Sequence, residues 1–233
     1  MVMAFVQGVA GFGFALLAVP FFALVLPVKE AVVLSTLVGT ANSCFQVVAL
    51  RRNIDVVRAQ RYLIGSLLGA PLGFALYQRS STIVLRAIVG IAVVLGTVMV
   101  VRAPRHTSAR PRLDWGMALV SGVLLTSTST NGPPLVVALR AQGVQPDLFR
   151  ATLAVVFAVT GAAATMGFAV AGNIDHETAW LSAWALPSLL IGASTGQRVR
   201  GFVAGAMFKW LVALILMVGA ASSIAPAILH LAG

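Results

Sequence analysis

The chain has 233 residues, 59% of them hydrophobic and 9% charged, with a mean hydropathy of +0.98. Soluble domains carry about 25% charged residues, so this composition excludes a water-facing surface and requires lipid. The formal charge of +10 rests on 16 Lys and Arg that fall mostly between apolar stretches, which argues against a nucleic-acid surface and for loops that orient a membrane protein.

A membrane-crossing helix needs about 20 apolar residues. Eight segments of this kind are predicted, at 4–27, 31–50, 62–78, 82–101, 115–139, 150–172, 178–197 and 202–229. The N-terminus lacks the basic region and cleavage site of a signal peptide. It begins inside an apolar run, and roughly ten upstream residues are expected to complete a first span of about 20 or more.

The first segment is interrupted by Gly8, Gly11, Gly13 and Pro20. The second carries Asn42 and Gln46 one helical turn apart, so they share a face. It also holds the single cysteine, Cys44, which can make neither an internal disulfide nor a metal site and reads as a small apolar filler. The third segment has Gly65, Gly69 and Gly73 at four-residue spacing, a stripe that lets helices approach closely. The fourth has Arg86 a turn or more inside it. A polar link from Arg102 to Asp114, with Pro104, Pro111 and four arginines, divides the chain into a half at 1–103, a linker at 104–114 and a half at 115–233. The fifth segment contains Gly122 and then Ser127-Thr128-Ser129-Thr130-Asn131-Gly132-Pro133-Pro134. The seventh repeats a Gly192/Gly196 spacing, and the eighth has Lys209 inside it. Trp115, Trp180 and Trp184 lie near segment ends, as interface anchors do.

The two halves echo each other. Gly8 and Pro20 match Gly122 and Pro134 at an offset of 114 residues. Asn53-Ile54-Asp55 matches Asn173-Ile174-Asp175 at 120. Gly69-Ala70 and Gly73 match Gly192-Ala193 and Gly196 at 123, as do Arg86 with Lys209 and Gly96 with Gly219. Order is kept and the offset grows by small insertions, which predicts an all-α polytopic membrane protein built from two four-segment repeats.

Charge then bears on the path of the chain. If all eight segments cross, the basic residues divide eight against eight and the positive-inside rule is silent. If segments one and five enter and leave on the same side, the count becomes thirteen against three, the three being Lys29, Arg79 and Arg86. Each half then has three crossings, an odd number, so the halves are inverted relative to each other. The expected arrangement is six full spans and two broken, re-entrant segments, with the basic loops cytoplasmic and both termini outside.

Irregular backbone survives at membrane depth only where protein or a wet cavity satisfies it. In the first broken segment Gly11 and Gly13 permit unusual backbone angles, and Pro20 removes a helical donor. In the second, Asn131 or Gly132 can cap a helix restarting at Pro133. The hydroxyls of Ser127, Thr128, Ser129 and Thr130 precede that restart. Half-helix N-termini carry spare N–H groups and partial positive charge, which suit an anion. Because Pro133 and Pro134 supply no N–H, the donors expected there are Gly132, Leu135, Val136 and the hydroxyls. The plainer alternative is that these glycines and prolines only kink packed helices. Asn42 and Gln46 either bond between helices or line a solute path. Arg86 and Lys209 either snorkel to the headgroups or draw an anion towards the pathway. No carboxylate or histidine sits mid-segment, and no catalytic or metal-ligand constellation is present, so neither a buried proton relay, an enzyme nor a cofactor is implied.

The stretch from Gly8 to Pro20, the Asn131-Gly-Pro-Pro134 motif with Gly122 before it, and the four-plus-four pattern together resemble the sulfite exporter TauE/SafE family of bacterial membrane proteins. The resemblance covers essentially the whole chain. It implies a secondary transporter of the bacterial inner membrane that exports a small sulfur-containing anion such as sulfite, sulfoacetate or a related organosulfonate. On that reading Gly11, Gly13, Pro20 and Ser127 to Pro134 line the site, with Asn42, Gln46, Arg86 and Lys209 as further candidates, and the partners are the lipid bilayer and an anionic solute. The sequence departs from the family in having fewer glycines in the first motif, and Leu125-Thr126 and hydroxyls in place of glycine in the second. A passive anion channel is the alternative, followed by a membrane-embedded enzyme or a structural membrane subunit.

Overall fold

A computed structural model of the protein describes residues 1–103 and 111–200. The eighth predicted segment, with Lys209 and Gly219, lies outside the described residues, as does most of the linker. Within them every regular element is helical. Segment one is broken into α1 (Val2–Ala10) and α2 (Phe14–Phe22), and segments two to four are α3 (Val28–Leu50), α4 (Val56–Arg79) and α5 (Thr82–Val101). Segment five is broken into α6 (Pro111–Thr128) and α7 (Gly132–Ala141), and α8 (Pro146–Val170) and α9 (His176–Val199) follow.

Local sequence explains the boundaries. Asp55 and Asp175 accept the Arg58 and Thr178 N–H groups at 3.0 and 2.7 Å, capping α4 and α9, and Ser81 caps α5 in the same way. Three of the described helices are both long and apolar enough to cross a bilayer alone, covering Val28–Asn53, Thr82–Val101 and Pro146–Val170. The 24-residue helices α4 and α9 have the length, about 36 Å at 1.5 Å per residue, but fall short in apolar content. Glycines, hydroxyl residues and the Arg and Gln near their ends lower it. Large apolar side chains such as Ile83, Ile91, Leu95, Met166 and Val170 are exposed on the outside of the bundle, where lipid would cover them.

The stripes bring helices to backbone contact. A Cβ at Gly69 would collide with the Leu119 carbonyl oxygen, and one at Gly73 with the Val123 carbonyl. A Cβ at Gly192 would meet the Met1 carbonyl oxygen, and one at Gly196 the Phe5 carbonyl. The same contact is therefore made twice, by α4 on α6 and by α9 on α1, and both pairs run parallel. Leu119 and Val123 stand 118 residues after Met1 and Phe5, and Gly192 and Gly196 stand 123 after Gly69 and Gly73. The sequence paired the two stripes at this same 123 spacing. In the first segment the contact register is 118, one helical turn away from the 114 that the Gly8/Pro20 and Gly122/Pro134 spacing gave.

The second broken segment returns to the end from which it started. Gln142, just past α7, donates from Nε2 to Asp114 Oδ1 in the first turns of α6 at 2.9 Å, and to Tyr62 Oη on α4 at 2.8 Å. Arg61 pairs with the other Asp114 oxygen at 3.3 Å, and Arg140 donates to the Val100 carbonyl at the end of α5 at 3.0 Å. The first segment also folds back on itself: Ala4 of α1 and Ala18 of α2 share a buried cluster with Leu34, Val38 and Leu189. At the end of the bundle away from these basic groups, Tyr77 donates to the Lys29 carbonyl at 3.4 Å and Gln78 to Asn173 at 3.2 Å.

If the α4–α6 stripe is an obligate close contact, Gly69→Val costs about 1–3 kcal/mol or more through overpacking. Gly116, with nothing within 4 Å of an added Cβ, should accept alanine without loss. Thermal unfolding of the detergent-solubilised variants measures both.

Candidate functional site

The two breaks are three residues each and begin alike. Gly11 ends α1 in the left-handed region (φ 84°), its N–H bonded to the Gln7 carbonyl at 2.7 Å. Ser129 ends α6 in the same region (φ 60°), its N–H bonded to the Leu125 carbonyl at 2.9 Å. Glycine accepts this conformation freely, whereas serine stores about 1–2 kcal/mol in it. Such strain marks a position that the surrounding structure holds in place. Gly11 and Ser129 are again 118 apart, so the breaks and the helix contacts share one register.

Other groups satisfy the freed carbonyls. Arg150, near the start of α8, donates from Nε to the Val9 carbonyl at 3.0 Å, placing a cation at the C-terminal end of α1. A Cβ on Gly11 would stand 2.8 Å from the Arg150 Cγ, so that position is closed to side chains for two reasons. In the second break Ser121 donates to the Asn131 carbonyl at 2.8 Å.

The tips meet. A Cβ at Gly132 would contact Phe12 at 3.6 Å and Phe157 at 3.8 Å. Beside them is a cavity of about 40 Å³ lined from both hairpins and from α3 and α8. That volume holds on the order of three water-sized bodies. The first hairpin contributes Gln7 and residues 13–16, the second Leu125 and residues 129–132, and α3 contributes Ser35, Thr36, Gly39, Thr40 and Ser43. The first-turn amides of a helix have no partner within it, and here those of α2 begin at the cavity wall. Among the described residues no charged side chain lines this cavity. Thr36 and Ser129 join the two sides through a hydroxyl hydrogen bond of 3.1 Å, and the buried Ser35 hydroxyl has no partner.

The sequence candidates divide accordingly. Gly13, Ser129, Thr130, Asn131 and Gly132 line the cavity, whereas Gly11 packs on Arg150 and does not line it. Pro20 lies inside α2, seven residues beyond the break at Gly13, so it is not the helix breaker the spacing implied. Ser127 and Thr128 turn away from the cavity: their hydroxyls donate to the Val123 and Leu124 carbonyls of their own helix at 2.6 and 2.9 Å. Thr128 also pairs with Thr130 at 2.6 Å. The helix restart comes at Gly132, with Pro133 and Pro134 in its first turn, and the Asn131 side chain does not cap it. Pro133 packs towards Gly96 of α5. The side chains of Leu135 and Val136, whose N–H groups were the expected donors, are buried in a core cluster. Asn42 donates to Gln7 at 2.8 Å and Gln46 is buried, neither touching the cavity directly. Arg86 is half-buried on α5 and does not line the cavity. Sequence reasoning missed Gln7, Ser35, Thr36 and Thr40. The signal was a run of hydroxyls at helical spacing within an otherwise apolar segment.

A helical bundle in which two broken helices bring their tips together beside a buried polar cavity belongs to the class of membrane transport proteins. The model of the sulfite exporter TauE/SafE family matches residues 1–223, and the chain belongs to that family. No curated protein and no solved structure matches it. Membership fits a membrane transporter of the sulfur-anion exporter type.

Gly11→Ala is expected to destabilise the protein by about 1–3 kcal/mol, from the left-handed backbone and the Arg150 contact together. Ser129→Gly, which relieves the same backbone cost while losing the Thr36 bond, should change stability by less than about 1 kcal/mol. Denaturant titration of the two variants in micelles compares them.

Proposed function

We propose that the protein is a secondary transporter of the bacterial inner membrane that exports a small sulfur oxyanion, bound between the two hairpin tips. The observation that carries this reading is the uncharged cavity lined by the N-terminal ends of α2 and α7. The first-turn amides of α2, the Gly132 N–H of α7 and the helix dipoles favour an anion there. The hydroxyls of Ser35, Thr36, Ser129 and Thr130 add donors that can turn to the solute. A cavity of about 40 Å³ favours sulfite over sulfoacetate or a larger organosulfonate.

The doubled contacts of α4 with α6 and of α9 with α1 support a duplicated, inverted architecture with six spans and two re-entrant hairpins. The hairpin return at Gln142–Asp114 supports the same topology, with the basic loops cytoplasmic. Transport then proceeds by rocking of one repeat against the other around the tips. Arg86 and Lys209 have a secondary role in drawing the anion in.

Purified protein in liposomes should take up labelled sulfite saturably, and sulfite on the opposite side should accelerate that uptake. Thr36→Val and Ser129→Ala should each raise KM about 10-fold or more, since a hydrogen bond to a charged group contributes roughly 1.5–3 kcal/mol. The exposed Ser188→Ala control should match the parent protein. Linear, unsaturable flux would identify a channel instead, and unchanged KM in both cavity variants would remove the site from the tips.

A further inference from the structure

Next to the tip cavity, on the outside of the bundle, lies a larger space. It is a groove of about 480 Å³ between α3 and α8. Leu37, Ala41 and Cys44 of α3 line it with Ala162, Met166 and Ala169 of α8. Cys44, Ala162, Met166 and Ala169 are exposed, so the groove opens towards the hydrocarbon around the bundle. Besides Thr40, the one other hydroxyl in its lining is that of Thr165, and no charged side chain lines it among the described residues. Such a surface offers little to an anion and suits an alkyl chain.

Thr40 lines both the groove and the tip cavity. Helical spacing explains the double role. Thr36, Gly39, Thr40 and Ser43 follow the face of α3 towards the cavity, and Leu37, Thr40, Ala41 and Cys44 follow the adjoining face towards the groove. On α8 the change comes between Gly161, which lines the cavity, and Ala162, which lines the groove. A Cβ on Gly161 would collide with the Thr40 hydroxyl oxygen and lie 3.4 Å from the Thr40 methyl carbon, so the Thr40 side chain is seated on the Gly161 backbone. Its hydroxyl donates to the Thr36 carbonyl at 2.7 Å, and a β-branched side chain in a helix has few other rotamers to take. One short, stiff side chain thus stands where a polar cavity of about 40 Å³ adjoins an apolar groove of about 480 Å³.

We infer that Thr40 is the size-selecting residue of the solute site: it restricts the tip cavity to an oxyanion without an alkyl chain by closing the way into the α3–α8 groove. The inference rests on the transport reading above for the anionic head group bound at the tips. A sulfonate that carries an alkyl chain can seat its head there only with the chain pressed against Thr40, and a clash of this kind rejects a solute without any charge. With the Thr40 side chain cut back, the chain passes over Gly161 into the groove. Each methylene buried there tightens binding by up to about fourfold.

The test pairs liposome flux with maleimide labelling of Cys44, the only cysteine of the chain and a native reporter in the groove. The parent protein should move sulfite and not butanesulfonate, and butanesulfonate should leave Cys44 labelling unchanged. Thr40→Ala should gain butanesulfonate flux roughly tenfold or more over the parent, and butanesulfonate should now slow Cys44 labelling. Thr40→Val, which keeps the shape of the wall, should discriminate between the two anions as the parent does. Adding Ala162→Leu to Thr40→Ala refills the groove and should abolish both gains. Thr40→Ser, which keeps the hydroxyl bond and removes only the methyl group, carries the same test should Thr40→Ala fail to fold or to move sulfite. Butanesulfonate flux in the parent overturns the proposal. So does the absence of either gain from a Thr40→Ala protein that moves sulfite, a result that leaves the transport reading standing. Gains that survive Ala162→Leu, or that appear equally in Thr40→Val, overturn it as well. Protection of Cys44 in Thr40→Ala with no flux of either anion in any variant upholds Thr40 as the wall and removes the transport reading. Neither flux nor protection overturns both.

Discussion

Every other feature of this bundle follows from the need to satisfy broken backbone at membrane depth. An interrupted helix frees N–H and C=O groups that lipid cannot bond, and each one left bare costs several kcal/mol. The protein meets this need unevenly. The carbonyl side is closed by specific donors: Arg150 on Val9, Ser121 on Asn131, and the left-handed turns at Gly11 and Ser129. On the amide side, the first turn of α2 and Gly132 of α7 line a cavity. That division separates structural bonding from capacity for a ligand.

The breaks can be held this firmly because the first half of each hairpin is fixed. Gly69 and Gly73 bring α4 onto α6 at backbone contact, and Gly192 and Gly196 bring α9 onto α1. In membranes such packing supplies much of the attraction between helices, because lipid tails offer no hydrophobic drive. The second halves are held by different means. Phe14 of α2 packs its ring on Gly39 of α3, whereas on the other hairpin Gly132 of α7 sits under the Phe157 ring of α8. Both pairs stand 118 residues apart, with ring and glycine exchanged between the partners. The two hairpins thus share a backbone plan while differing in the side chains that fill it.

Much of the plan was legible in the sequence. The helix boundaries followed hydropathy, caps and loop charge closely, and the glycine stripes pointed to close packing. The two broken segments were found because glycine, serine, asparagine and proline interrupted apolar runs. The register within them was not legible. Gly8 and Gly122 are helix-contact residues and Pro20 is tolerated inside α2, so their equal spacing does not mark the breaks. The equivalence is between Gly11 and Ser129, a glycine and a serine in one backbone conformation, which a search by residue type cannot pair. The orientation of hydroxyls was hidden for a similar reason. Ser127 and Thr128 satisfy carbonyls of their own helix, and nothing in their sequence neighbourhood separates them from Ser129 and Thr130.

The absence of charged side chains around the tip cavity also has an electrical consequence. An anion that crosses through a site without a compensating cation carries its own charge through the membrane field. Each elementary charge moved through 100 mV is worth about 2.3 kcal/mol. With a negative cell interior, that energy alone favours outward movement of a monovalent anion by nearly fifty-fold per 100 mV, so on the proposed export reading the resting potential would itself supply work.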